Sequence, residues 1–410
     1  MEVDWSDIHK DIVDSILKQI EHLSDYIRLG SICKSWQSSM VDIPRPLHLG
    51  FPFLLLSRRT TTTGNNRRDY ALYSPFERKV HPVKLPDRPP SPVRCIGSSS
   101  NGWVCMIDDS LRIYMFNPFS NALVLLPPLS RTNLNLISDP KPSSHGSLEF
   151  AVKDEFIEGY QVMMFGEGMR DHYIYKAVWS AEPTDPLNCA IFLCLRISTS
   201  MYYCRPGDAR WTMIKTQLDY VSDAIFYKDN LYLVDNDTEI ATIDLLHQGG
   251  GQGITVPKLE VKAYETKLDV DLFGLRTRKY LVAGPSGLLF ILRHYKYSFR
   301  CVYERRHLTF EFRVFKLDEM GTQWVETKSL DDGVLFLGMN SSIWVSSRNF
   351  KECKGNSIYF TDDDRFDSVY EDGRGGDSGV FHMEDRSFTS LCDNDLKNLY
   401  PYPLWVLPNP

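Results

Sequence analysis

Short apolar segments recur along almost the whole chain after residue 96, and they constrain the fold more than any other feature. Each segment is rich in aromatic and β-branched residues, and turn residues (Gly, Asn, Asp or Pro) separate neighbouring segments at intervals of about 8 to 12 residues. Representative segments are GWVCMID (102–108), IYKAVWSA (174–181), AIFLCLRI (190–197), GLLFILRHY (287–295) and SIYFTDD (357–363). The sequence therefore predicts a mainly β, antiparallel fold with almost no helix in this region.

A weak internal repeat predicts how these strands are grouped. Trp211 and Trp324 each follow a glycine-containing turn, and each is followed by a compact apolar strand. A period of about 45 to 50 residues would divide the region into about six to eight sheets arranged radially, as in a β-propeller. Two packed β domains are the alternative. A ring of sheets must close to avoid unpaired edges, so Phe51–Leu56 and Leu404–Leu407 are expected to share one sheet.

The pattern of an amphipathic helix precedes the β region. Its apolar residues recur every three or four positions, at Ile8, Ile12, Val13, Ile16, Leu17 and Ile20. A second helix is predicted by the same spacing at Leu29, Ile32, Cys33 and Trp36. Helices this short cannot bury so much apolar surface among themselves, so another surface must cover it.

The order of residues in this segment resembles an F-box. The matching pattern is a Trp-Ser opening at Trp5, a helix of the form D-I-V-x-x-I-L-x-x-I, and the sequence R-L-x-S-I-C-K-S-W that ends at Trp36. The family usually has Leu-Pro where this chain has Ile8-His9. Since proline fixes φ near the helical value in a first turn, the helix start should be looser here. The alternative is an ordinary helical extension packed on its own domain.

Three motifs near the C-terminus extend the resemblance to plant F-box proteins with a kelch-like, uncharacterised C-terminal domain. They are Ser357–Asp363, Gly379–Asp385 and Pro403–Pro408. The resemblance implies a small helical F-box over residues 4–45, followed by a β-propeller-like substrate-interaction domain over residues 50–410. It names no substrate.

An F-box implies a defined set of partners. By that resemblance, the N-terminal helices bind the Skp-type adaptor of a cullin–RING ubiquitin ligase, and the β domain holds an unidentified protein substrate. The expected adaptor-binding residues are Ile8, His9, Ile12, Ile16, Leu17, Ile20, Ile27, Ile32, Cys33 and Trp36. Trp36 is the expected anchor, because a large amphipathic side chain suits a buried interface position.

Composition narrows the remaining classes of function. A net charge of −7 over 410 residues argues against a general nucleic-acid binder, and the lack of any apolar run of about 18 residues predicts no membrane span. The nine cysteines are scattered and show no C-x-x-C spacing, which favours reduced thiols in the core. Since the first residues also lack a signal-sequence pattern, we expect the protein in the cytosol or nucleus.

Catalytic, cofactor and metal motifs are missing from the sequence. There is no H-E-x-x-H, G-x-S-x-G or G-x-x-x-x-G-K-[ST]. The glycine-rich stretch 249–253 precedes strand-like residues and not a helix, so it is predicted to be a hairpin tip. The carboxylates Asp362, Asp363, Asp364 and Asp367 lack the spacing of a calcium loop. We expect no catalytic residue, cofactor or metal.

Several polar stretches are predicted to be solvated. The basic stretch RRTTTTGNNRRD (58–69) is expected to be a mobile loop, and the acidic run that follows Asp362 a long loop between two strands. His172, His294 and His307 are expected at the surface or in turns.

Two functions from different classes therefore compete. The first is a non-catalytic subunit of a ubiquitin ligase that positions a substrate. The second is an enzyme or small-ligand-binding protein that uses the central pocket of a propeller, with the helices as a packing accessory. Co-purification of an adaptor would distinguish them, because only the first function requires it.

Overall fold

A computed structural model describes the chain from residue 8 to residue 408, with gaps. The described residues are 8–17, 19–20, 25, 29, 33, 36, 51–62, 65–75, 78–83, 93–99, 101–129, 137–139, 141–144, 148–153, 161–195, 200–216, 218, 220–244, 258–259, 275–301, 304–318, 324–339, 341–350, 353–363, 377–391 and 403–408. Within these residues, the helix α1 (Lys10–Leu17) precedes a long series of β-strands. Within the described residues, no helix is long and apolar enough to cross a lipid bilayer.

The described strands form seven sheets, six of which we call blades. Blade 1 contains β1 (Phe53–Thr62), β2 (Asn65–Ser74), β3 (Lys79–Val83) and the last strand, β28 (Leu404–Val406). Blade 2 contains β4 (Arg94–Ser98), β5 (Val104–Ile107), β6 (Ile113–Phe116) and β7 (Leu123–Leu126). Blade 3 contains β11 (Ile174–Trp179), β12 (Ile191–Leu195), β13 (Ser200–Cys204) and β14 (Thr212–Lys215).

The second half of the chain supplies the other three blades. Blade 4 contains β15 (Val221–Tyr227), β16 (Asn230–Asp235), β17 (Ile240–Asp244) and β18 (Lys258–Leu259). Blade 5 contains β19 (Leu275–Gly284), β20 (Gly287–Cys301), β21 (Glu304–Leu317) and β22 (Trp324–Thr327). Blade 6 contains β23 (Gly333–Leu337), β24 (Ile343–Ser346), β25 (Ser357–Phe360), β26 (Gly379–His382) and β27 (Phe388–Ser390).

The seventh sheet is an insertion between blades 2 and 3. It consists of β8 (Lys141–Pro142), β9 (Leu148–Lys153) and β10 (Gln161–Phe165), and a helical turn (Gly166–Gly168) with a π-helical turn (Met169–Tyr173) leads from it into blade 3. Phe150 and Val152 of β9 are buried in the apolar cluster between blades 2 and 3. The insertion therefore covers that junction without separating the two blades.

Six buried apolar clusters show how the blades are arranged. Blades 1 and 2, 2 and 3, 3 and 4, 4 and 5, 5 and 6, and 6 and 1 each share one cluster. Each sheet is thus covered on both faces, which explains the nearly continuous apolar runs in the sequence. In β1, for example, Leu55 faces blade 2 whereas Leu54 and Leu56 face blade 6. The result is a closed ring of six blades, which confirms the predicted β-propeller and excludes two packed β domains.

The C-terminal strand closes the ring. β28 pairs with β1 in antiparallel register, with Phe53 opposite Val406 and Leu55 opposite Leu404. Trp405 is fully buried, packs edge-on against Phe336 of blade 6, and donates its indole N–H to the Leu337 carbonyl at 3.2 Å. The predicted sharing of one sheet by the first and last strands is therefore confirmed.

The innermost strands of neighbouring blades lie close together around the centre of the ring. β4 contacts both β28 and β11, and β11 contacts β15. At Gly97, a Cβ atom would overlap the Ala177 carbonyl oxygen of the neighbouring strand. Glycine is needed there because the two backbones approach too closely for any side chain.

Blade 6 departs from a simple antiparallel order. Its strand order is β24-β23-β25-β26-β27, and β23 pairs with β25 in parallel. The strand nearest to blade 5 is β24, which contacts β19. β24 is antiparallel to β23, and Trp344 at its start lies beside Gly284 at the end of β19. This blade therefore presents the start of its inner strand where blade 5 presents the end.

The structure corrects one predicted loop and the start of another. Residues 58–62 and 65–69, expected in a mobile loop, form the paired arms of the β1–β2 hairpin, with Thr62 opposite Asn65. Threonine is β-branched and favours an extended backbone, which the polar composition had obscured. Asp362 and Asp363, expected at the start of a solvated loop, are buried. The glycine-rich stretch 249–253 and residues 364–376 lie outside the described residues.

Candidate interaction site

The helix α1 carries an apolar arc that its own chain covers only in part. Val13 and Leu17 are buried in the cluster between blades 1 and 2. Ile8 and Ile16 pack against the same cluster but remain half-buried, and Ile12 is 55 % exposed. Ile12 and Ile16 lie one turn apart on α1, and Ile8 lies just before the helix, so we call these three incompletely buried side chains the apolar strip.

The start of α1 is held by local hydrogen bonds. His9 directly precedes the helix, and its carbonyl oxygen accepts the N–H groups of Ile12 and Val13 at 3.0 and 3.3 Å. Its ring Nδ1 accepts the Asp11 N–H at 3.4 Å, which is the role of an N-cap side chain. Asp11 lies in the first turn, where a carboxylate is favoured by the helix dipole. His9 therefore flanks the helix and does not occupy its first turn.

Trp36 lies on the inside of the N-terminal segment. It is 2 % exposed and belongs to the same cluster as Val13 and Leu17, together with Leu55 of β1 and Leu404 of β28. Burial there anchors the segment to the blade that closes the ring, because a tryptophan removes more apolar area from water than any other side chain.

The expected adaptor-binding residues thus fall into four groups. Exposed residues are His9 and Ile12. Half-buried residues are Ile8, Ile16, Ile20 and Cys33. Leu17 and Trp36 are buried within the chain itself, which leaves them out of reach of a partner in this conformation. Ile27 and Ile32 lie outside the described residues.

A buried arginine cluster between blades 5 and 6 is the most polar part of the core. Arg293 of β20 is 1 % exposed and donates to the Thr361 carbonyl at 2.8 Å and to Asp377 Oδ2 at 2.9 Å. It also pairs with Asp363 Oδ1 at 3.2 Å, and Tyr280 donates to the second oxygen of that carboxylate at 2.6 Å. Every donor group of Arg293 has a partner, so this side chain joins blades 5 and 6.

The electrostatics of this cluster agree with a structural role. Burial alone would lower the pKa of Arg293, but Tyr280, Asp377 and Asp363 outweigh burial and hold that pKa well above its ordinary value. Burial and the neighbouring Asp363 carboxylate likewise raise the pKa of Tyr280. Arg293 is therefore charged and Tyr280 neutral at any physiological pH.

A second buried pair joins three blades. Lys176 of blade 3 forms an ion pair with Asp223 of blade 4, and both side chains are almost completely buried. The other oxygen of Asp223 accepts the Leu281 N–H of blade 5 at 2.7 Å. One carboxylate thus connects three consecutive blades near the centre of the ring.

Four buried cysteines are poor nucleophiles. Burial raises the pKa of Cys189 to about 11 and that of Cys194 to about 12, and it also raises the pKa values of Cys105 and Cys204. These thiols are protonated at neutral pH, whereas the thiolate is the reactive form. Among the described residues, no group of three or more His, Cys, Asp or Glu side chains could hold a metal ion.

The structure also corrects the expectation for one histidine and adds residues that sequence reasoning missed. His294 was expected at the surface but is 3 % exposed, and its Nδ1 lies 3.0 Å from Thr277 Oγ1. Arg293 and Lys176 were missed, although Lys176 is flanked by apolar residues on both sides and Arg293 follows a run of five. Such a residue signals a buried partner of opposite charge. His172 and His307 have no described side-chain position.

Comparison with known proteins supplies the family context. The model of the KIB1-4 beta-propeller family matches residues 72–382. F-box protein SKIP23 of Arabidopsis thaliana is 26 % identical, over 87 % of this chain and 84 % of the relative. F-box protein At2g26160 of the same plant is 25 % identical, over 88 % of this chain and 96 % of the relative. The similarity to both F-box proteins thus extends over most of each chain.

Proposed function

The chain belongs to the KIB1-4 β-propeller family, and on that premise we propose that it is the substrate-recognition subunit of an SCF-type ubiquitin ligase. In this role the N-terminal helices bind a Skp-type adaptor, and through it the cullin and the RING protein. The propeller holds a protein substrate. The proposal assigns no catalytic step to the chain, and it places the protein in the cytosol or nucleus.

The observation that carries the proposal is the apolar strip of α1. Ile12 is exposed and Ile8 and Ile16 are half-buried, although the opposite side of the same helix is buried against blades 1 and 2. A helix that leaves one isoleucine in solvent, with half-buried isoleucines four residues to either side, fits a hydrophobic groove on a partner. The similar Arabidopsis chains are named F-box proteins, which supports a Skp-type adaptor as that partner.

The mechanism is catalysis by positioning. The six blades form a closed ring, and the N-terminal segment packs on it through Leu17 and Trp36. A substrate bound to the propeller would therefore be held at a defined place relative to the adaptor. Tethering of this kind raises the effective concentration of substrate lysines near the ubiquitin-loaded conjugating enzyme. For short linkers this concentration reaches the millimolar range.

A single substitution tests the adaptor interface without disturbing the core. In Ile12→Asp, a carboxylate replaces an apolar side chain that is already 55 % exposed in the free protein. The free protein should keep its melting temperature, whereas binding to purified Skp-type adaptor should weaken at least tenfold, because the contact would desolvate an unpaired charge. Calorimetric titration measures the affinity.

The matched control is Ile12→Met, which keeps the apolar surface and should bind within about twofold of the natural chain. If Ile12→Asp binds the adaptor as tightly as Ile12→Met does, α1 is not the adaptor-binding helix. If neither the natural chain nor Ile12→Met binds any Skp-type adaptor, the ligase function itself is wrong.

A further inference from the structure

A cavity of about 280 Å³ lies on the central axis of the ring. All six blades line it, through Leu407 after β28, Ser99 after β4, Trp179 of β11, Phe226 of β15, Ala283 of β19 and Trp344 of β24. It opens at the side of the ring where β4, β11 and β28 end. Central cavities built from every blade are common places for ligands, because loops of all blades converge there.

The lining of the cavity is apolar and aromatic with neutral polar groups. Trp179, Phe226 and Trp344 supply aromatic surface, and hydroxyl or amide groups come from serines and from Asn101. None of the described residues that line the cavity has an ionisable side chain. A charged ligand would lose its hydration there without gaining an ion pair, so the lining selects against both anions and cations.

One lining hydroxyl lacks a hydrogen bond. Ser342 is 7 % exposed, and its Oγ has no partner within the described part of the chain. By contrast, the hydroxyl of Ser180, which also lines the cavity, donates to the Asn188 carbonyl and accepts the Ala190 N–H, both at 2.9 Å. A buried hydroxyl without a partner is destabilising, and a polar group of a bound molecule would remove that penalty.

We propose that this cavity binds a small uncharged molecule with an aromatic ring and a polar group that hydrogen bonds to Ser342. The ring packs among Trp179, Phe226 and Trp344, and the Ser342 hydroxyl, enclosed in the free protein, rotates to meet the polar group. The volume lies just below the range of about 300 to 1,000 Å³ usual for drug-sized ligands, which favours a compact molecule with one ring system. This site is separate from α1, so it is independent of the adaptor-binding proposal.

Three probes with the same ring and different charges test whether the cavity prefers neutral molecules to ions. Benzamide is neutral, benzoate is an anion and benzamidine is a cation at pH 7, and all three have the same ring and nearly the same size. Ligand-observed NMR titration of the full chain should detect benzamide, with binding at least tenfold weaker for each ion. Equal binding of all three probes, or no binding of benzamide and of the neutral analogues phenol and benzyl alcohol at millimolar concentration, overturns the proposal.

Two serine variants locate the site. Ser342→Ala removes the hydroxyl without a partner, so the free protein should melt at the same or a higher temperature, while benzamide should bind about three- to tenfold more weakly. Ser138→Ala, outside the cavity, is the control. It removes a hydroxyl that accepts the Ala151 N–H at 2.8 Å, so it should lower the melting temperature and leave the affinity for benzamide within about twofold.

A third variant tests the position independently of hydrogen bonding. Ala283→Leu adds three carbon atoms at the half-buried edge of the cavity and should abolish benzamide binding while the protein stays folded. Undiminished binding to both Ser342→Ala and Ala283→Leu would show that the probe binds elsewhere, and the central cavity would then lose its assignment.

Discussion

At the scale of single residues, isolated charges inside apolar strands identify the polar connections between blades. Lys176 interrupts IYKAVW and Arg293 interrupts LLFILRHY, and both are buried against carboxylates from other blades. The sequence could predict that such residues need a partner, because an unpaired buried charge is very unfavourable. It could not predict which carboxylate pairs with them. Asp363 and Asp377 are about 70 and 84 positions from Arg293 along the chain, and only the ring brings them together.

Two arginines of blade 5 should respond very differently to truncation. Arg293→Ala leaves the carboxylates of Asp363 and Asp377 buried without their partner, so it should lower the free energy of unfolding by about 3 to 5 kcal/mol. Arg313→Ala is the control. Its pair with the half-exposed Glu326 lies near the surface, where such a pair contributes about 0 to 1 kcal/mol. Urea unfolding followed by tryptophan fluorescence measures both values, and similar losses would contradict the structural role assigned to Arg293.

The buried His294 should make stability depend on pH. Burial lowers the pKa of His294, with Arg313 and Lys279 acting in the same direction and Glu311 opposing them. In an unfolded chain the pKa of histidine is about 6.5, so on acidification the unfolded chain takes up this proton before the folded protein does. The free energy of unfolding should therefore fall as pH drops below about 6.5.

The variant His294→Gln isolates this contribution. It removes the titrating group but keeps a polar side chain that can hydrogen bond to Thr277. The slope of unfolding free energy against pH between about 5 and 6.5 should be smaller in the variant than in the natural chain. An unchanged slope would mean that His294 is protonated equally in both states.

At the scale of elements, local pattern predicted most strands but not their partners. Segments such as IYKAVWSA and GLLFILRHY are strands β11 and β20, because aromatic and β-branched residues favour an extended backbone wherever they lie. The parallel pairing of β23 with β25 has no local signal, since strand order depends on contacts between distant residues. Residues 58–62 and 65–69 of the β1–β2 hairpin were predicted to be a loop, because they are polar and lack the apolar alternation of an ordinary strand.

The helix α1 offers a prediction about its own start. His9 accepts the Asp11 N–H over a long distance of 3.4 Å, so it is a weak cap. Asparagine is among the strongest capping residues, and His9→Asn should slow hydrogen exchange of the first α1 amides, whereas His9→Ala should speed it up, each by a few fold. Amides of β12, in the buried centre of blade 3, serve as the internal control. Identical exchange in both variants would show that the side chain of His9 does not cap the helix.

At the scale of the whole molecule, the sequence predicted a ring but not its size. A degenerate repeat restricted the count to about six to eight sheets, whereas six shared apolar clusters define six blades within the described residues. The two candidate sites also differ in how far the sequence could predict them. Periodicity found the apolar strip of α1, because that strip lies on one short segment. The central cavity takes residues from every blade, so no local pattern could reveal it.

Closure by the last strand should decide whether the ring folds at all. A chain that ends at Tyr402 lacks β28, and with it the fully buried Trp405 and the pairing partner of β1. The exposed edge of β1 and the empty space beside Phe336 should lower the melting temperature sharply or cause aggregation. The control removes only residues 409 and 410, which follow the strand, and should melt like the full chain. Differential scanning fluorimetry and size-exclusion chromatography compare the three forms.

The same truncation should also affect α1. Val13, Leu17 and Trp36 share one apolar cluster with Leu404 and Val406, so the N-terminal segment packs on the very strand that the truncation removes. Loss of β28 should therefore release α1 from the ring and speed up hydrogen exchange of its amides to the rate of an isolated helix, because eight residues alone are too few for a stable helix in water. A truncated chain that stays monomeric, melts like the control and keeps α1 protected would show that neither ring closure nor the docking of the helix depends on this strand.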